Sequence, residues 1–258
     1  MREGNTAIPG EETARPVEPD PTTDIAPDVT EDNVSFAASV WAIVWKDLTT
    51  EQHTRQLIGV MLVFALTAVV VFNFALYGNL SAAREAATGF LWITILLAGT
   101  LGLNRSLASE QENRSIESIL ISPIERSAIY LGKVISVTLF TLVVVLVLVP
   151  IFVALFNQPF WRPGVIAILI LGTIGYVAAG VLVTSMSIQT KAREVLLPVL
   201  LLPLTLPSVL AASQVTAALT APVPAPWNEI QFAVALVVAF DIFMLTVGFL
   251  TYHYVVED

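Results

Sequence analysis

Cysteine is absent from this sequence of 258 residues, so the chain forms no disulfide within itself and offers no thiolate ligand. Histidine is scarce: His53 and His253 stand far apart, and no H-E-x-x-H or other paired metal-ligand spacing occurs. A G-x-x-x-x-G-K-[ST] motif is also missing, which excludes a P-loop nucleotide site. Because no nucleophile and base pair is recognisable either, we expect a chain that is not an enzyme and that depends on another subunit for energy.

Charged residues are also scarce. Only 13% of the residues are charged, 56% are hydrophobic and the mean hydropathy is +0.79, values that indicate a polytopic membrane protein. A bilayer core of about 30 Å needs roughly 20 apolar helical residues. Runs of this kind predict six transmembrane helices, at 57–76, 87–105, 133–156, 163–188, 195–213 and 230–251. The expected fold is therefore all-α.

The first 33 residues differ from the rest. They hold nine acidic side chains, two arginines and five prolines, and they contain too little apolar surface to offset the chain entropy lost on folding. We therefore predict a disordered acidic tail at 1–33, without a cleavable signal peptide, and one six-span transmembrane domain at 34–258. Removing the tail changes the net charge from −9 to −2, so the charge gives no indication of a nucleic-acid partner.

The basic residues predict the orientation. Arg84 and Arg162 lie on one side of the predicted spans. The other side carries Arg2, Arg15, Lys46, Arg55, Arg105, Arg114, Arg126, Lys133, Lys191 and Arg193. The positive-inside rule then places both termini, and the loops after the second and fourth spans, in the cytoplasm.

Residues 34–56, which precede the first span, have the composition of an amphipathic helix in the membrane interface. Trp41 and Trp45 lie beside an apolar stripe at four-residue spacing, formed by Phe36, Val40, Val44 and Leu48. The polar side chains expected opposite this stripe are Lys46, Asp47, Glu51 and Arg55. Two interpretations stay open: an N-terminal interfacial elbow helix, or an anchor that merely lengthens the first span.

The stretch 106–133 carries four acidic and three basic residues, so it cannot be bilayer core and is expected to be a loop. Its pattern predicts a cytoplasmic helix at about 107–120 with a short apolar edge, formed by Ile116, Ile119 and Leu120. Ser122, Pro123 and Glu125 then read as an N-cap, a first helical residue and the N3 member of a capping box. The second helix should continue through Tyr130 and Lys133 into the third span. Such a hairpin is either merely solvated or inserts into a groove on another protein.

Two patterns inside the spans suggest special roles. Gly175 and Ala179 form a small-xxx-small pair that favours close helix packing. The fifth span contains prolines that predict a kinked or discontinuous helix, which is either a static kink or a moving region, followed by a proline-rich outer turn. These prolines are Pro198, Pro203 and Pro207, and those of the turn are Pro222, Pro224 and Pro226.

Asp241 lies near the middle of the sixth span, where a charged carboxylate costs on the order of 3 kcal/mol. The side chain must therefore be protonated, hydrated, hydrogen-bonded to a group such as Asn73, or paired with a partner chain. It is an intramembrane polar candidate for a structural hydrogen bond or for a transport role.

The amino-acid sequence of the loop resembles that of a known family. LASEQENRSIESILISPIERSAIYLGK, WKDL at 45–48 and LLPVLLLPLTLPSVLAAS in the fifth span resemble the CcmB family, the haem exporter B permeases of ABC-type cytochrome c maturation systems. The resemblance covers about residues 34–258. It departs at Asn113-Arg114-Ser115, where the family has an Arg-x-Gly-Thr pattern, and at Glu125, where the family has Asp.

The resemblance implies an ABC-2-like permease in the plasma membrane that works with a separate ATPase, CcmA, with CcmC and CcmD, and with the haem chaperone CcmE. ATP hydrolysis would release haem-loaded CcmE. The complex would handle haem and the partner subunit would bind ATP, while this chain would bind no cofactor itself. The expected ATPase contacts of the cytoplasmic coupling helix are Glu110, Glu112, Arg114, Ile116, Glu117, Ile119 and Leu120. The expected elbow residues are Ser122, Pro123, Glu125 and Arg126.

Three other functions remain open. An ABC-2 permease that exports a drug, lipid or polysaccharide would share the interfacial helix, the six spans and the coupling loop. A non-transporting membrane scaffold would share the spans but not respond to changes in the loop. A secondary carrier would use Asp241 for protons and would need no partner.

Overall fold

The computed structural model describes residues 35–112, 126–187 and 193–255, and the predicted tail lies outside them. Within these ranges the chain forms seven α-helices and no strand. The helices are α1 (Phe36–Thr54), α2 (Gln56–Ala75), α3 (Leu80–Glu112), α4 (Arg126–Phe156), α5 (Pro163–Ser187), α6 (Arg193–Thr220) and α7 (Trp227–Val255). The predicted all-α fold is confirmed.

Helices α2 to α7 are long and apolar enough to cross a membrane, which confirms the six predicted spans. The matching segments are Gln56–Ala75, Leu80–Ser106, Arg126–Phe156, Pro163–Met186, Leu197–Thr220 and Trp227–Tyr252. Helix α3 has 33 residues and is about 50 Å long, which exceeds the hydrocarbon thickness. Residues 107–112, which we expected to begin a separate loop helix, instead continue α3, and the remainder of that predicted helix lies outside the described residues.

Helix α5 lies at the centre of the bundle and packs against α3, α4, α6 and α7, whereas α2 packs against α3 and α4. In the most apolar 18-residue stretch of α5, 72% is buried, but in the corresponding stretches of α2 and α7 only 22% is buried. Helices α2 and α7 therefore have the most exposed apolar surface among the spans. In a membrane protein such a surface faces lipid or a partner helix.

Glycines of α5 leave room for bulky side chains of the neighbouring helices, as the small-residue pattern predicted. A Cβ at Gly172 would meet Trp92 and Ala212, one at Gly175 would meet Asp241 and Phe240, and one at Gly180 would meet Leu103. Ala179 is completely buried. Because these positions carry little or no side chain, helices α3, α6 and α7 can approach α5 closely.

Several polar side chains inside the bundle form hydrogen bonds within their own helix or to another helix. Tyr176 on α5 donates a hydrogen bond to the carbonyl of Leu96 at 2.9 Å, and its hydroxyl lies 2.8 Å from that of Thr100. The indole N–H of Trp92 donates to the hydroxyl of Thr216 at 3.1 Å, which ties α3 to α6. These contacts offset the cost of placing polar groups where water is absent.

The fifth span was predicted to be kinked or discontinuous, and of these two forms the discontinuous one is wrong, because the span is a single helix. Helix α6 runs without a break from Arg193 to Thr220, with all three prolines inside it, and the outer turn follows at 221–226. Pro203 and Pro207 lie on the exposed face. The opposite face stays buried along the whole stretch and holds the helix together, through Leu197, Leu201, Thr205, Ser208 and Ala212.

Candidate functional site

The residues predicted to couple to an ATPase fall largely outside the described part of the chain. Glu110 and Glu112 lie in the last turn of α3, and Arg126 is the first residue of α4. The other predicted residues lie outside the described residues: Arg114, Ile116, Glu117, Ile119, Leu120, Ser122, Pro123 and Glu125. The two described ends of the predicted loop are therefore the end of α3 and the start of α4.

The start of α4 is buried, although the sequence suggested a loop up to Lys133. We call residues 126–136 the α4 entry segment. Ala128 and Tyr130 are completely buried, and the helix continues without interruption to Phe156. The predicted run of helix through Tyr130 and Lys133 into the third span is thus confirmed, but its surroundings are protein. Apolar neighbours and a few paired polar groups make this burial possible.

Tyr130 joins α4 to α5 and α7. Its hydroxyl lies 3.2 Å from the carbonyl oxygens of both Ala178 on α5 and Met244 on α7, and it donates toward them. Gly248 on α7 packs directly under the ring, because a Cβ there would meet the Cζ and hydroxyl atoms of Tyr130. The ring of Tyr252 lies 5.5 Å from that of Tyr130. One side chain therefore fixes the relative positions of three helices.

The opposite side of the α4 entry segment holds α1. A Cβ at Gly132 would stand 2.8 Å from Ile43, so the absence of a side chain lets α1 lie directly on α4. One residue later, the Nζ of Lys133 lies 3.3 Å from the Oδ2 of Asp47, with both side chains about nine-tenths buried. The WKDL and SAIYLGK segments therefore meet at this ion pair. Lys46 contacts the same carboxylate at 3.2 Å from the exposed side.

Helix α1 is a separate helix that turns into α2 at Arg55, where φ is 50°. Of the two interpretations of residues 34–56, the separate elbow helix therefore holds and the simple extension of the first span does not. The predicted polar face was partly wrong, because Glu51 is buried. Glu51 can be buried because its carboxylate accepts hydrogen bonds from the backbone N–H groups of Leu57 and Ile58.

Glu51 thereby caps the N-terminus of α2. The two donor–acceptor distances are 3.2 Å to the Leu57 nitrogen and 2.8 Å to the Ile58 nitrogen. A carboxylate at this position satisfies N–H groups that have no partner inside the helix, and its charge is favourable at a helix N-terminus. Glu51 therefore has a structural role in the turn between α1 and α2.

Asp241 is buried, at 5% exposure, and lies against Gly175 of α5. Among the described residues, neither of its carboxylate oxygens has a hydrogen-bond partner. Of the four alternatives for this side chain, the hydrogen bond to a group such as Asn73 is therefore not present among the described residues. The oxygens occupy the space that a side chain at position 175 would need, so the acid fits its surroundings by shape and not by a polar partner.

The sequence motifs assigned no role to the residues that make the contacts of the α4 entry segment or to the cap of α2. These are Asp47, Glu51, Tyr130, Lys133 and Gly248. The first four share one signal: each is a polar side chain next to an apolar helical stripe. Gly248 gives no signal of its own, because only the fold brings it under Tyr130. In the described ranges no group of three histidine or carboxylate side chains is placed to hold a metal ion.

These features define a polytopic, all-helical membrane protein whose fourth helix is joined at its first turns to α1, α5 and α7. Over residues 38–255 the chain matches the family model described as CcmB protein. Since that match covers most of its length, the chain belongs to the CcmB family.

Curated relatives agree with this assignment. The chain is 27% identical over 166 residues to heme exporter protein B of Rhodobacter capsulatus, a match that covers 63% of this chain and 75% of the relative. It is 29% identical over 149 residues to heme exporter protein B of Bradyrhizobium diazoefficiens, covering 57% of this chain and 66% of the relative. A protein of the same name from Pseudomonas aeruginosa is 27% identical over 144 residues, covering 55% and 65%.

Proposed function

We propose that this chain is the permease subunit of an ABC-type haem exporter that serves cytochrome c maturation. Its membership of the CcmB family and the name shared by its relatives support the substrate class. Haem is here the cargo of the complex, and ATP is bound by a partner ATPase of the CcmA type. CcmC and CcmD complete the membrane complex, and its ATP hydrolysis releases haem-loaded CcmE.

The observation that carries the mechanism is the set of contacts made by the α4 entry segment. Residues 113–125 connect the end of α3 to the start of α4, so a partner that moves this loop pulls on Arg126. Tyr130 passes the displacement to α5 and α7, and Lys133 passes it to α1 through Asp47. Packed helices move as rigid units, so such a displacement reaches the far ends of the spans.

The ATPase is expected to grip the loop through its apolar edge at Ile116, Ile119 and Leu120, flanked by Glu110, Glu112, Arg114 and Glu117. Ser122, Pro123, Glu125 and Arg126 would set the angle at which the loop enters α4. The distribution of Lys and Arg supports a cytoplasmic position for this loop and for both termini. The protein would then lie in the plasma membrane with the outer turn at 221–226 on the opposite side.

Deletion of the gene tests the proposal as a whole. We expect the deletion strain to lose its c-type cytochromes, measured by haem staining of membrane proteins, and the full-length chain to restore them. Purification of the complex from native membranes should recover an ATPase subunit. Normal c-type cytochromes in the deletion strain would contradict the proposal and favour export of another substrate. An ATPase rate that no loop variant alters would favour the non-transporting scaffold.

A further inference from the structure

Helix α1 connects the starts of two membrane-spanning helices, α4 and α2. It packs extensively against α4, whereas its packing against α2 is much smaller. In the chain only one residue, Arg55, separates the end of α1 from the start of α2. A displacement that reaches α1 from α4 therefore has a short path to α2.

The contact between α1 and α4 is fixed at two places. A Cβ at Gly132 would stand 2.8 Å from the Cγ2 atom of Ile43 and 3.3 Å from the carbonyl oxygen of Val40, so the two helices touch there. One residue later, Lys133 pairs with Asp47 at 3.3 Å. These contacts extend over about two turns of α1. Because packing and an ion pair hold α1 over this length, it follows α4 as a rigid unit.

The side chain of Glu51 joins α1 to α2. Glu51 lies four residues after Asp47, so the two carboxylates share one side of α1. Asp47 faces α4, and Glu51 accepts hydrogen bonds from the backbone N–H groups of Leu57 and Ile58 at 3.2 and 2.8 Å. One side of α1 is therefore bound to α4 through one acid and to α2 through the next.

The backbone between α1 and α2 has no slack. Arg55 has φ 50° and ψ 22°, in the left-handed region that a residue with a side chain rarely adopts. Its N–H donates to the carbonyl of Glu51 at 2.7 Å, and its carbonyl accepts from the N–H of Gly59 at 3.3 Å. The turn is thus held by hydrogen bonds on both sides, and together with the Glu51 carboxylate it gives α1 and α2 one defined angle.

We propose that α1 transmits the displacement of α4 to α2, and that Glu51 is the positioning residue that couples α1 to α2. The sides of α2 restrain it less than those of the central helix α5, since only 22% of its most apolar 18-residue stretch is buried, against 72% in α5. The anchor at its first turn therefore sets its tilt. The source of the displacement is the partner ATPase of the proposed function, on which this inference rests.

Distances between nitroxide labels in the purified complex test this transmission. The chain has no cysteine, so labels can be attached to introduced cysteines in a complex whose partner subunits carry none. One pair, Leu146→Cys with Val223→Cys, reports the position of α4 relative to the outer turn. A second pair, Tyr77→Cys with Val223→Cys, reports the outer end of α2. All three native side chains are exposed. Addition of a non-hydrolysable ATP analogue should change both distances.

Glu51→Ala should leave the change in the α4 distance intact and reduce the change in the α2 distance by more than half. Glu51→Gln keeps a side-chain oxygen as acceptor and should restore part of the α2 change. Gln52→Ala, at an exposed neighbour, is the matched control and should retain both changes. Insertion of two glycines after Thr54 adds slack to the junction. It should also reduce the α2 change, so the test stands even if Glu51→Ala fails to assemble.

A full α2 change in Glu51→Ala or in the glycine insertion would overturn the transmission through α1, because α2 would then follow α4 by direct packing. Equal loss of the two changes in Glu51→Ala would also overturn it, because the acid would then act only through the stability of the whole bundle. A change of the α4 distance alone in the unaltered chain would do the same. In these three cases the proposed function stands. If the analogue changes neither distance in the unaltered chain, the proposed function fails together with the transmission.

Discussion

Replacing Gly248 by alanine tests the close packing at the α4 entry segment. The new Cβ would meet the side chain of Tyr130, with the Cε1 atom at 2.7 Å and the Cζ atom and the hydroxyl oxygen closer still. The ring cannot easily move away, because its hydroxyl lies 3.2 Å from each of two carbonyl oxygens on different helices. Overpacking of this kind costs roughly 1–3 kcal/mol, and the rigid setting places Gly248→Ala near the upper end.

A second effect has the opposite sign. Alanine is favoured over glycine inside a helix by about 1 kcal/mol, which leaves a net loss of about 2 kcal/mol for Gly248→Ala. Gly89→Ala is the matched control, because no atom lies within 4 Å of the Cβ that it adds. We expect Gly89→Ala to be neutral or stabilising by up to about 1 kcal/mol.

The assay is reversible unfolding in mixed micelles, which gives the free energy of unfolding for each variant. Tyr130→Ala serves as a second background, since it removes the ring that Gly248→Ala would strike. In that background Gly248→Ala should become neutral or stabilising. If Gly248→Ala has the same effect with and without the ring of Tyr130, the reasoning about this contact is refuted.

Three further predictions concern polar groups. Lys133→Met should destabilise the protein by about 3 kcal/mol, because it leaves the buried carboxylate of Asp47 without its inner partner. In the same unfolding assay, Lys133→Met combined with Asp47→Leu should recover most of that loss. Glu51→Ala should cost about 1–2 kcal/mol by removing the cap of α2, while Gln52→Ala, at an exposed neighbour, should cost almost nothing. Asp241→Asn should raise the free energy of unfolding by no more than about 3 kcal/mol and leave cytochrome maturation intact. Loss of maturation with normal assembly would contradict this prediction and establish a charge-dependent role for Asp241.

The fold followed from the sequence because a membrane imposes simple requirements on length and polarity. Each predicted span reappears as a helix, and the start of α4 at Arg126 agrees with the predicted continuation of helix from the loop into the third span. For α6 only the discontinuous form of the prediction was wrong. The hydrogen bonds lost at proline and the clash of its ring suggested a break, but one continuous face stays buried while Pro203 and Pro207 lie on the exposed side.

The contacts of the site were less predictable. Glu51 and Asp47 have the polarity of a solvent-exposed face, and sequence periodicity placed them there. Their burial depends on partners that are distant in sequence or turned toward them by the fold: Lys133 for Asp47, and the N-terminus of α2 for Glu51. Periodicity reports which side of a helix is polar, but it does not report whether a charged neighbour covers that side.

The central claim is that a partner ATPase acts on the bundle through the loop between α3 and α4. The most direct measurement is recovery of the ATPase subunit with the affinity-tagged chain from native membranes, for Ile119→Asp and for Val223→Asp. Val223 is an 83% exposed apolar residue in the outer turn and serves as the matched control. We predict that Ile119→Asp inserts normally but loses the ATPase, and that Val223→Asp retains it. Full recovery with Ile119→Asp would contradict the account.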